Sequence, residues 1–172
     1  MEPQELSRLK KSQKIIRSAP IFQKGKCSKH YPKPLNAFSN TFLVSELIPV
    51  ANDQFVVFAY RRNNEIEDCK FYGYWGTMHS ENLFSPIMEL HYHPSHKGIH
   101  IRVPCRTNKD YTGRSLVQAP ELNIVPNQAP DIRTDQGIRQ LICIFCKTAG
   151  IELLDTCDPD QPDLFGQDNA KN

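Results

Sequence analysis

Residues 88–103 read Met88-Glu89-Leu90-His91-Tyr92-His93-Pro94-Ser95-His96-Lys97-Gly98-Ile99-His100-Ile101-Arg102-Val103, and the fold follows from this stretch. Successive side chains of a strand point to opposite faces. Met88, Leu90 and Tyr92 therefore share one face, while Glu89 joins His91 and His93 on the other. Beyond the Pro94–Lys97 break, Ile99, Ile101 and Val103 alternate with His100 and Arg102 in the same way. Residues opposite each other in an antiparallel ladder point the same way, so apolar must meet apolar. Pairing Leu90 with Ile101 and Tyr92 with Ile99 satisfies this. It sets His91 opposite His100 and Glu89 opposite Arg102.

Working outward, Phe55–Tyr60 and Phe71–Trp75 are rich in the aromatic and β-branched residues that strands favour, and Arg61–Asn64 reads as the turn between them. Strands near Ile87–His93 and Ile99–Val103 complete an antiparallel meander of about four. Residues 3–16 predict a helix, with Leu6, Leu9, Gln13 and Ile16 along one side. Ile138, Leu141, Ile142, Phe145 and Ala149 form one apolar stripe of a second helix, with Thr134 or Asp135 to cap its start and Gly150 its end. A short strand at Ile151–Leu154 follows. The expected class is α+β, with N- and C-terminal helices on one face of the sheet. Residues 105–132, with Pro120, Pro126 and Pro130, read as a long loop.

The 172 residues are 39 % hydrophobic, enough for one domain with a real core. No apolar run reaches the ~18 residues of a spanning helix, so no membrane partner is expected. The start is polar and basic, without an apolar signal segment, and a cytoplasmic location is expected. Six Cys at irregular spacing then read as thiols, not as a disulfide framework. The net charge of +2 hides an asymmetry, because residues 1–33 alone carry a balance of +7. Three regions emerge: a basic helix and irregular arm (1–34), an α+β domain (35–154) and an acidic tail (155–172). The tail is too polar to bury a core and is expected to be disordered. In the arm, Lys10, Lys11, Lys14, Arg17, Lys24, Lys26 and Lys29 are candidates for phosphate contacts on a nucleic acid.

Three imidazoles, a carboxylate and a guanidinium on one patch suit acid–base chemistry on a phosphodiester. One imidazole can take a proton and another give one, while Arg102 stabilises the phosphorane charge. His91, His93, His100, Arg102 and Glu89 are the candidate catalytic residues, with no cofactor or metal expected. A transition metal on His91, His93 and His100 is the alternative chemistry. A merely solvated polar face is the alternative without chemistry. Cys143-Ile144-Phe145-Cys146 and Cys27-Ser28-Lys29-His30 have zinc-like spacing, but the first lies within an apolar helix and reads as buried thiols.

Residues Phe71–Arg102 resemble the TumE-type toxins of bacterial toxin–antitoxin modules, which carry a His-rich hairpin near their centre. Glu89 is the nearest acid where that pattern has Asp. His91-Tyr92-His93 also resembles the His-hydrophobic-His pair of a family of metal-dependent endonucleases, which would imply Tyr111 as nucleophile. In the tail, Gln161-Pro162-Asp163-Leu164-Phe165 resembles the pentapeptide with which bacterial replication and repair proteins bind the β sliding clamp. That resemblance implies Leu164 and Phe165 as apolar anchors, with Gln161 and Asp163 in neighbouring subsites. The expected function is a small bacterial or mobile-element protein of nucleic-acid metabolism, docked on the clamp and cleaving phosphodiesters. A non-enzymatic inhibitor or adaptor, using the same patch for binding, is the alternative.

Overall fold

The computed structural model describes residues 3–25, 31, 35–80, 83–95, 98–103 and 130–154. The chain opens with helix α1 (Pro3–Lys11) and strands β1 (Ile15–Ile16) and β2 (Phe22–Lys24). Then come β3 (Leu43–Ser45), β4 (Ile48–Ala51), β5 (Gln54–Arg61), β6 (Lys70–Ser80), β7 (Leu83–His93) and β8 (Gly98–Arg102). Helix α2 (Asp135–Ala149) and strand β9 (Glu152–Leu153) close the described residues. The α+β class is as expected.

Strands β5 to β8 form the antiparallel meander, and the ladder of β7 with β8 has the register that the apolar match demands. Leu90 faces Ile101, Tyr92 faces Ile99, His91 faces His100 and Glu89 faces Arg102. The sheet is larger than the four strands expected. Seven strands pair in it, in the order β2-β3-β5-β6-β7-β8, with β4 also on β5. The three extra strands, β2, β3 and β4, are three or four residues long, too short to show a period. Both β3 and β4 line the same edge of β5, and the ladder breaks where one hands over to the other. Ser45 mends the break: its Oγ accepts the Phe58 N–H at 2.9 Å. This leaves no orphan donor in the middle of β5.

One face of the sheet carries Phe58, Phe71, Trp75, Met88, Leu90, Tyr92 and Ile101, all buried in one core with the apolar stripe of α2, and Leu6 and Leu9 of α1 pack against it. Helix α2 is placed by its ends. Thr134 Oγ1 accepts the Gly137 N–H at 3.0 Å, and Gly150 adopts φ 67°, the left-handed conformation that ends a helix without a Cβ clash. Midway along, Phe145 sits directly on Gly73 of β6, where a Cβ would lie 2.6 Å from a ring carbon. Phe145 also meets Phe58 edge-on, with centroids 5.2 Å apart.

Helix α1 stops at Lys11, not at Ile16. Ile16 is buried as expected, but as part of a two-stranded parallel sheet in which Ile15 pairs with Glu152. Lys14 accounts for the stop. Its Nζ turns back on the open end of α1 and donates to the carbonyls of Leu9, Lys10 (3.3 Å) and Ser12 (2.9 Å). The arm is likewise not wholly irregular, because Phe22–Lys24 is a strand paired to β3. Among the described residues, no helix is long and apolar enough to cross a membrane. The acidic tail, most of the expected 105–132 loop, Lys26, Lys29, the Cys27–His30 pair and Tyr111 lie outside the described residues.

Candidate functional site

The second face of the sheet is built in rows. Val57, Tyr74, Glu89 and Arg102 form one row across β5 to β8, and Ala59, Tyr72, His91 and His100 form the next. On the β3–β5 side this face is covered. Leu35, Val44, Val57, Ala59 and Phe84 are buried there under the partly buried Phe38 and Phe42. Toward β8 it is a run of rings. Phe38 and Phe42 lie 5.7 and 5.8 Å from Tyr72, and Tyr72 meets the rings of His91 at 4.9 Å and His93 at 5.4 Å. His93 in turn stands 6.3 Å from His100. The apolar cover and the polar patch are therefore continuous.

Glu89 lies beneath this patch with its side chain only 9 % exposed. A buried carboxylate needs charged or hydrogen-bonding company, since desolvation penalises the ion. Its Oε2 is 3.4 Å from His91 Nε2 and 3.9 Å from Arg102 Nη1. Arg102 stays 54 % exposed and His91 26 %, so the pair rises from a sheltered acid to an open guanidinium. Nε2 of His91 and Nε2 of His100 are both turned away from solvent, and the former makes no hydrogen bond. Burial pushes the Tyr74 phenol well up, and the negative charges of Glu89 and Tyr72 add to that, against Arg102. Tyr72 is raised too, by burial first, with Arg61 opposing. Both phenols therefore remain hydrogen-bond donors at neutral pH.

All five candidate catalytic residues thus meet on one patch. They do not form a ready metal site: among the described residues, no three His, Cys, Asp or Glu side chains converge as ligands. Tyr72 and Tyr74 were not among the candidates. The signal for them lay in parity, because pairing apolar Phe71 with Tyr92 puts Tyr72 beside His91.

The basic arm divides. Lys11, Arg17 and Lys24 are exposed and Lys10 is half-buried. Lys14 does not belong with them. It is 2 % exposed, and its ammonium sits over Trp75 at 4.9 Å while holding the α1 carbonyls. Burial, with the neighbouring Lys10 charge, pushes its pKa down to about 8. Neither Cys143 nor Cys146 is in a disulfide, and Cys146 is fully buried. Burial first, and Cys143 beside it, raise its pKa well above the usual thiol range, the opposite of a redox or zinc-ligating cysteine.

No protein-family profile, curated protein or solved structure matches this chain.

Proposed function

We propose that the chain is a cytosolic protein of bacterial or mobile-element nucleic-acid metabolism that attacks phosphodiesters with the imidazole face of β7 and β8. One observation carries this reading: a buried carboxylate, Glu89, stands 3.4 Å from His91 Nε2 in a row that ends on Arg102. A small approach of the two, of the kind catalytic pairs make once substrate is seated, would leave the other ring nitrogen to take a proton. His91 then accepts, through its other nitrogen, a proton from the water whose oxygen bonds to phosphorus. His100, its neighbour across the ladder, returns a proton to the departing oxygen. Arg102, open to solvent, meets the charge that builds on the phosphorane.

The tail pentapeptide Gln161–Phe165 supports docking on the sliding clamp, which would hold the site near its substrate strand. Exposed Lys11, Arg17 and Lys24 support a sequence-independent phosphate contact. The non-enzymatic reading also has an observation in its favour, since Nε2 of both His91 and His100 faces inward.

The test is cleavage of end-labelled oligonucleotides in the presence of a chelator by the parent protein, His91→Ala and His100→Ala. The reading expects metal-independent cleavage by the parent and a loss of at least about 100-fold in each variant, the usual weight of a general acid or base. Cleavage by both variants at the parent rate excludes the assignment. Absence of cleavage in the parent leaves the binding-face reading in its place.

A further inference from the structure

We infer that the ring-lined face of β6 and β7 is a stacking platform for an unpaired DNA strand, with Tyr72 at its centre. This rests on the nucleic-acid reading above and names its substrate class.

The first argument is geometric. A protein that grips single strands without sequence preference combines aromatic rings for the bases with cations for the backbone. Tyr72, Tyr74, His91 and His93 form such a run of rings on an antiparallel sheet, each partly exposed among the described residues. Phe38 and Phe42 brace Tyr72 from the covered side, so the ring is held before any ligand arrives. Bases in a duplex present edges and not faces, and rings standing on a sheet cannot enter the stack. The platform therefore selects unpaired nucleotides.

The second argument is charge. Arg61, Lys70 and Arg102 border the platform, Arg61 and Lys70 being paired across β5 and β6. Arg61 lies over Phe42 at 5.8 Å, steadied by the Asp68 carbonyl, which accepts from its Nε and Nη2 at 3.1 and 2.7 Å. Among the described residues, the rows from 57–61 across to 98–102 hold one acid on this face, the buried Glu89. A polyanion fits that balance, and a clamp-docked protein meets it as DNA.

The experiment is fluorescence anisotropy of the full chain with three 12-nucleotide probes: labelled oligo(dT), the same length of duplex DNA, and oligo(rU). Tyr72→Leu keeps apolar bulk without a ring, and Arg102→Gln removes one cation. Emission of the single, buried Trp75 certifies that each variant is folded. Oligo(dT) should bind at least tenfold more tightly than duplex. Tyr72→Leu should weaken it by about 5- to 150-fold, the range of one stacked base. Arg102→Gln should lower the salt slope by about one. Duplex binding as tight as oligo(dT), or a folded Tyr72→Leu that binds like the parent, overturns the platform. Tenfold preference for oligo(rU) overturns the assignment to DNA. Tight oligo(dT) binding without any cleavage supports the platform while removing the proposed cleavage.

Discussion

Gly73 occupies the centre of β6, with Phe145 of α2 against one face and Tyr72 and Tyr74 flanking it toward the other. In Gly73→Ala the new Cβ would stand 2.6, 2.9 and 3.1 Å from three carbons of the Phe145 ring. Carbon atoms rest at about 3.5–4.0 Å, so the ring must retreat by roughly 1 Å. Phe145 is fully buried on a capped helix and also leans on Phe58, which leaves little room for that retreat. Overpacking of this kind costs about 1–3 kcal/mol. Alanine recovers about 0.4–1 kcal/mol by narrowing the unfolded ensemble. The net expectation is destabilisation by about 1–2 kcal/mol. Urea denaturation followed by Trp75 emission reads it directly. The decisive step is the double-mutant cycle with Phe145→Leu, which opens space over Gly73. In that background Gly73→Ala should be close to neutral, giving a coupling of about 1 kcal/mol or more. Equal effects of Gly73→Ala in both backgrounds would refute the placement of α2 on β6.

Other outcomes are equally specific. Lys14→Ala leaves the end of α1 without its donor and Trp75 without its cation, and should destabilise by about 2–3 kcal/mol in thermal or urea unfolding. A Lys14→Gln protein that lowers the salt slope of DNA binding as Arg102→Gln does would contradict its inward placement. Because the Cys146 pKa is raised, the residue stays a thiol, so native protein treated with iodoacetamide at pH 8.5 should show it unmodified by peptide mass mapping. Labelling of Cys146 as fast as in urea would contradict its burial. Leu164→Ala with Phe165→Ala should cost at least about 2–3 kcal/mol in clamp binding measured by calorimetry, since these two side chains are the expected anchors. Thr134→Ala removes the α2 cap and should cost about 1 kcal/mol, read as a lower urea midpoint.

The hairpin was legible because its alternation is complete. Leu90, Tyr92, Ile99 and Ile101 leave one register open, and that register orients Glu89, His91, His100 and Arg102. Helix α2 was legible for a similar reason, as stripe, Thr134 cap and Gly150 agree on one element. Where several signals did not coincide, the reading missed. Ile16 continues the α1 stripe, yet Lys14 ends the helix by capping it. Lys14 looks like any surface cation in a basic segment, and only the tertiary placement of Trp75 turns it inward. Tyr72 and Tyr74 read as strand aromatics, but which face they served depended on Phe38 and Phe42, whose segment shows no period. The Glu89–His91 contact itself was legible only as proximity, because burial of a carboxylate depends on what covers it.

The most direct measurement is a nuclear magnetic resonance titration of the isotope-labelled protein with oligo(dT), following backbone amides and imidazole protons together. Shifts concentrated at Tyr72, Tyr74, His91, His93, His100 and Arg102 are expected, with α2 and the Gly73–Phe145 contact undisturbed. Shifts confined to Lys11, Arg17 and Lys24, with the imidazole signals unmoved, would contradict a nucleic-acid site on β6–β8.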